Sequence, residues 1–120
     1  MTAMRTFIAF FGALLFSAGI AFADQELTLS RDAKSDYVIV IPNQATPVER
    51  TAARELCDHL AKVTGAVLPV VTESPVDKPR IVLGDGTVTR ELLRGFDPDT
   101  LPPDAIVIKT VGRDLVMAGH

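Results

Sequence analysis

A short histidine and carboxylate cluster is the first place in this sequence where chemistry could occur. His59 follows Asp58 directly and lies one helical turn after Glu55, so the imidazole and a carboxylate could share one helix face. A zinc site needs more ligands than this, and the sequence has neither H-E-x-x-H nor a second nearby histidine. The spacing therefore favours a solvated His59 over a metal ligand, and we predict no metal site.

A glycine-containing turn is the second candidate. Gly84-Asp85-Gly86 follows an apolar segment, as a phosphate-binding loop does. The remainder of both nucleotide-binding patterns, G-x-G-x-x-G and G-x-x-x-x-G-K-[ST], is missing, and the loop at 42–46 contains no glycine. Asp and Gly are also the residues that ordinary turns prefer. We therefore predict a turn that ends a strand, and no cofactor.

Acidic and hydroxyl side chains are the third candidates. Glycoside hydrolysis uses two carboxyl groups about 5–10 Å apart, and a sequence alone does not establish such a separation. The acidic residues lie in proline-rich loops, and the serines lack the G-x-S-x-G context of a nucleophile. These residues are Glu73, Asp77, Asp97, Asp99 and Asp104, with Ser30, Ser35 and Ser74. We predict no catalytic residue in this chain.

Composition sets the class of protein. The chain has 120 residues, of which 48% are hydrophobic, and a formal net charge of −3. These values are typical of one small globular domain. The mild acidity argues against a nucleic-acid partner, which would require a basic surface.

The N-terminus predicts export. Arg5 precedes the apolar run Phe7–Phe22, and Ala21-Phe22-Ala23 matches the A-x-A cleavage pattern before the acidic residue Asp24. We predict a signal peptide at 1–23, cleaved near Ala23, and a mature periplasmic or extracellular domain at 24–120. An uncleaved membrane anchor is the alternative, because the run approaches the length that spans a bilayer.

The best-defined element is an amphipathic helix from Thr46 to Gly65. Thr46 and Glu49 have capping-box spacing, Pro47 suits the first helical position, and Gly65 suits the end. An apolar stripe is expected to face a sheet, and Arg50 and Arg54 are expected to pair with neighbouring acids on the solvated side. The stripe consists of Val48, Ala52, Leu56, Leu60 and Val63. Cys57, the single cysteine, is expected to be a small hydrophobe at the stripe's edge.

The segments around this helix alternate or are β-branched, which predicts strands. The predicted strands are Glu26–Ser30, Asp36–Ile41, Val67–Thr72, Arg80–Leu83, Ala105–Thr110 and Asp114–Ala118, with a short helix at Thr87–Arg94. Pro69 places its strand at an edge or a bulge, and the last two strands form an antiparallel hairpin. The order predicts an α+β domain, a small mixed sheet with helices packed on one face. A further helix is expected beyond Gly119-His120, so we expect a piece of a larger protein.

Three motifs in order carry a resemblance over 36–120. They are the helix pattern Ala52-Ala53-Arg54-Glu55-Leu56 through Leu60 to Thr64-Gly65, then I-V-L-G at 81–84, then D-L-V-M-A-G at 114–119. In this pattern the chain resembles the N-terminal non-catalytic domain of bacterial alpha-glucuronidases. It is also similar to the related second domain of bacterial beta-hexosaminidases.

The resemblance implies a function for the parent protein rather than for these residues. In that family the domain packs beside a catalytic (β/α)₈ barrel, and the catalytic carboxylates belong to the barrel. No catalytic position of the family has a counterpart here. The expectation is an exported, non-catalytic domain of a glycoside hydrolase whose barrel contacts the polysaccharide; the alternative is a free-standing periplasmic binding or interaction module.

Overall fold

The structure is a computed structural model that describes residues 26–120, so the predicted signal peptide lies outside the described residues. The strands are β1 (Val38–Val40), β2 (Val70–Val71), β3 (Arg80–Leu83), β4 (Ile106–Val111) and β5 (Asp114–Gly119). The helices are α1 (Pro47–Thr64) and α2 (Thr87–Leu92), with a 3₁₀ turn at Pro98–Thr100. Over the described range, no helix combines the length and the apolar character that crossing a membrane requires.

The five strands form one mixed sheet in the order β2-β1-β3-β5-β4. The pairs β1–β2, β1–β3 and β3–β5 are parallel, and the final hairpin β4–β5 is antiparallel. The α+β class, the mixed sheet and the terminal hairpin predicted from the sequence are confirmed.

The two helices lie on opposite faces of this sheet, which corrects the expectation that both pack on one face. Successive strand side chains point to opposite faces. Ile39 and Ile81 belong to the core that includes Ala53 of α1. Val40 and Val82 belong to the core against which α2 packs. Both faces of the sheet carry β-branched side chains that must be buried, and helices on one face alone would leave the other face exposed to solvent.

Helix α1 begins and ends where the sequence predicts. The N–H of Glu49 donates to Thr46 Oγ1 at 3.2 Å, and the N–H of Thr46 donates to Glu49 Oε2 at 2.7 Å, which completes the capping box. Gly65 adopts φ +77°, a left-handed conformation that glycine accepts without a Cβ penalty, and its N–H donates to the carbonyl of Ala61.

One predicted strand is wrong and two are too long, since Asp36–Ile41 contributes only Val38–Val40. Glu26–Ser30 is not a strand: it pairs with neither edge of the sheet, and Leu29 instead packs against the α1-side core. The segment Val67–Thr72 contributes only Val70–Val71. Pro69 precedes this short strand, which lies at the sheet edge as predicted.

Candidate functional site

The buried stripe of α1 is rotated relative to the prediction. Ala53 is 1% exposed, and Leu56, Cys57 and Leu60 pack against the core. Val48 and Val63, expected to be buried, are 76% and 82% exposed. The cause is the position of the helix, which contacts β2 and β3 and so lies over one half of the sheet.

The other half of the sheet, on the same face, is an open apolar groove of about 390 Å³. It lies between α1 and the β4–β5 hairpin. Ile106 and Ile108 on its wall are 71% and 61% exposed. Its apolar walls are formed by Val48, Ala52, Leu56, Leu83, Ile106, Ile108 and Met117. We call this surface the α1–hairpin groove, and its chemistry suits apolar packing rather than proton transfer.

Glu49 is the charged side chain at this groove, and its oxygens are already engaged. Besides the capping bond to Thr46, its Oε1 accepts from the N–H of Asp85 at 3.1 Å. A Cβ on Gly84, which adopts φ +84°, would lie 2.2 Å from that oxygen. Glycine is therefore required where the β3–α2 turn closes over the carboxylate. Glu49 ties the start of α1 to this turn.

This arrangement gives Gly84-Asp85-Gly86 a structural role. Helix N-termini and glycine turns attract phosphate because they present free backbone N–H groups to an anion. Here the N–H groups of Thr46 and Asp85 point at the carboxylate of Glu49. These two N–H groups are thus already bonded to an anion of the protein itself. The predicted turn is confirmed.

A second, smaller crevice of about 230 Å³ lies outside the carboxyl ends of β1 and β3. In open sheets with parallel strands, ligands favour such a position between strands whose connections leave in opposite directions. Asn43, Thr72, Glu73 and Thr87 line it. Within this crevice, the buried hydroxyl of Thr89 donates to the carbonyl of Gly84, so it serves the fold.

His59 and the loop carboxylates do not converge on a common point. His59 Nδ1 lies 2.7 Å from the carbonyl of Glu55 and 4.0 Å from its carboxylate, on an exposed helix face. Asp97 accepts from the N–H of Asp99 at 3.0 Å and caps the 3₁₀ turn. Among residues 26–120, no group of three His, Cys, Asp or Glu side chains could hold a metal ion.

Four other side chains singled out in the sequence have local partners. Ser35 donates to the carbonyl of Leu29, and Ser74 accepts from Arg80. Cys57 is half-buried at the edge of the α1 packing, as predicted, and its thiol contacts the carbonyl of Leu68 at 3.3 Å. Arg50 is exposed as expected, but it donates to the carbonyl of Ala45 and makes no ion pair in the described chain. Glu49, one of the neighbouring acids, is committed to the helix cap.

The sequence analysis missed a charged pair that joins two strands. Arg80 Nη2 lies 2.6 Å from Asp114 Oδ2, and the Arg80 N–H donates to Asp114 Oδ1 at 2.9 Å. Arg80 begins β3 and Asp114 begins β5, and the carboxylate is buried. The hydrogen bond to Asp114 raises the pKa of the Arg80 guanidinium. The sequence did contain a signal for this pair, because residues of opposite charge begin two of the predicted strands. The two residues come together because β3 and β5 pair in parallel.

Tyr37 lies beside this pair. Its hydroxyl donates to the carbonyl of Arg113 at 2.7 Å, which connects the residue before β1 to the hairpin turn. Burial, and then the negative charge of Asp114, raise the pKa of the phenol. The Tyr37 phenol therefore has a structural role at the end of the sheet where its parallel strands begin.

Comparisons of the chain with protein-family models, with curated proteins and with solved structures give no match.

Proposed function

We propose that this chain is the N-terminal, non-catalytic domain of an exported, carbohydrate-degrading glycoside hydrolase, and that it packs against a catalytic (β/α)₈ domain. The observation that carries the proposal is the α1–hairpin groove. Val48, Ile106 and Ile108 are exposed together along it, with Met117 between them at the sheet surface. Contiguous exposed apolar surface of this kind marks an interaction site.

The groove suits a neighbouring domain better than a soluble substrate. Its walls are aliphatic, and the carboxylate at its end is hydrogen-bonded to backbone N–H groups. Contiguous exposed apolar surface of this type suits contact with another protein domain, whereas a sugar would require free polar groups. The family motifs at 52–65, 81–84 and 114–119 specify which neighbour is proposed. Chemistry would then reside in the barrel, and this domain would support it.

The first test is the coding sequence around these 120 codons. We expect a (β/α)₈ domain to be encoded in the same polypeptide, C-terminal to His120. A locus with no barrel-coding sequence in any reading frame contradicts the proposal and favours the free-standing periplasmic module.

The second test changes the groove within the polypeptide that carries both domains. Val48→Gln alters the groove, and Val63→Gln alters an equally exposed valine of α1 outside the residues that line it. Both changes keep good helix propensity, so neither is expected to unfold α1. We expect Val48→Gln to lower the thermal midpoint and to speed proteolysis between the domains, with Val63→Gln close to wild type. Identical behaviour of the two variants would count against a domain seated in the groove.

A further inference from the structure

We propose that two copies of this chain associate through antiparallel pairing of their β4 strands, forming one continuous ten-stranded sheet across a twofold axis. This inference goes beyond the proposed function: it rests on the open backbone edge of β4, whose Ile106 and Ile108 also line the α1–hairpin groove. The partner is a second copy of the chain, and the contact is made by backbone hydrogen bonds together with Ile106 and Ile108.

The two edges of the sheet differ in a way that favours this contact. The β2 edge has two residues and follows Pro69, features that prevent strand pairing. The β4 edge has six residues without an internal proline, and Ile106 and Ile108 on it are largely exposed. Open hydrophobic edges of this length are templates for strand addition.

The hydrogen bonds of β4 show which of its backbone groups are free. The N–H of His120 donates to the carbonyl of Ala105, so this opposed pair is hydrogen-bonded. Alternate pairs in an antiparallel ladder share that property. Val107, Lys109 and Val111 therefore bond to β5. The N–H and C=O groups of Ile106, Ile108 and Thr110 point away from β5, toward the open edge.

These outward groups fit one symmetric register particularly well. Placing Ile108 opposite Ile108 of the other copy also pairs Ile106 with Thr110 in both directions. The six outward N–H and six outward C=O groups then match without a bulge. The two Ile108 side chains meet on the α1 face, where cross-strand aliphatic pairs stabilise a sheet.

Charge excludes one neighbouring register and supports the proposed one. A shift that places Lys109 opposite Lys109 sets like charges at a close, non-hydrogen-bonded pair, which is destabilising. In the proposed register Lys109 faces Val107. Asp104, just before β4, then lies beside the partner's turn at Gly112 and Arg113, and neither charge has an ion-pair partner in the described part of the chain.

The test measures the oligomeric state of the full chain, recovered after export from a bacterial host, by analytical ultracentrifugation. We expect a reversible dimer whose fraction rises over roughly 1–500 µM, as for small transient interfaces. Ile108→Lys places two lysines at the centre of the contact and is expected to weaken dimerisation at least about tenfold. Val76→Lys also replaces a β-branched aliphatic side chain by lysine, but at a 98% exposed loop residue, and should leave the dimer intact.

A cysteine experiment then tests the register. In a Cys57→Ala background, a mixture of Val107→Cys and Lys109→Cys chains is expected to cross-link rapidly, because opposed non-hydrogen-bonded residues have Cα atoms about 4.5 Å apart. Each variant alone should cross-link slowly. A monomer at every concentration, or equal dissociation constants for Ile108→Lys and wild type, overturns the proposal. Rapid cross-linking of Val107→Cys alone or of Lys109→Cys alone overturns the register.

Discussion

Removing the carboxylate of Glu49 is expected to destabilise the domain by about 2 kcal/mol. Glu49→Ala leaves the N–H groups of Thr46 and Asp85 without their acceptor, and these bonds are 2.7 and 3.1 Å long. A lost helix cap costs about 1 kcal/mol, and each charge-assisted hydrogen bond contributes about 1.5–3 kcal/mol. The side chain is half-exposed, so water recovers part of that loss, and alanine returns a few tenths through helix propensity.

Glu55→Ala is the matched control, because the chemical change and the helix are the same. The Glu55 carboxylate is exposed and, among residues 26–120, its charged contact is with His59 at 4.0 Å, so its loss should cost less than about 0.5 kcal/mol. Urea unfolding followed by circular dichroism gives both free energies of unfolding. At about 4–8 °C per kcal/mol, the Glu49→Ala midpoint should fall by roughly 8–15 °C. A Glu49→Ala cost within 0.5 kcal/mol of the Glu55→Ala cost refutes the assigned role.

Three further outcomes are expected. Gly84→Ala should cost about 1–3 kcal/mol in urea unfolding, because its Cβ meets the Glu49 carboxylate and its φ is +84°. Asp114→Asn should cost about 2–4 kcal/mol, since the Arg80 charge loses a buried partner. Tyr37 has a pKa raised above 10.0 in the folded chain, so its contribution is complete below pH 10 and declines as pH rises through the folded value. Urea midpoints should therefore fall above pH 10, more steeply in wild type than in Tyr37→Phe.

Each of these has its own control. Gly95→Ala tests a left-handed glycine whose Cβ would meet no atom within 4 Å, so it should cost less than Gly84→Ala; equal costs contradict the contact with Glu49. Asp85→Asn removes the half-buried partner of the exposed Arg90 and should cost under about 1 kcal/mol. If Asp114→Asn and Asp85→Asn lower the free energy of unfolding by the same amount, burial of the Arg80–Asp114 pair is not the cause of the loss. If the urea midpoints of wild type and Tyr37→Phe fall equally steeply above pH 10, ionisation of the Tyr37 phenol is not the cause of the fall.

Local signals were sufficient for the individual elements of the fold. Thr46, Pro47, Glu49 and Gly65 define the ends of α1 through bonds to their own neighbours, and all of them act as predicted. The terminal hairpin also follows from short-range pattern. By contrast, Glu26–Ser30 has a strand-like alternation but joins neither edge of the sheet. Leu29 packs against the α1-side core instead, which no local signal reveals.

Helix α1 shows the boundary between what sequence determines and what tertiary structure decides. The period of its apolar residues establishes that one side of the helix is hydrophobic, because that property depends on spacing alone. Which part of the stripe is buried depends on where the sheet lies beneath it. The strand order places α1 over β1, β2 and β3, so Ala53 is buried and Val48 remains exposed beside the groove. The same pairing joins Arg80 to Asp114, 34 residues apart, through contacts that exist only in the folded chain.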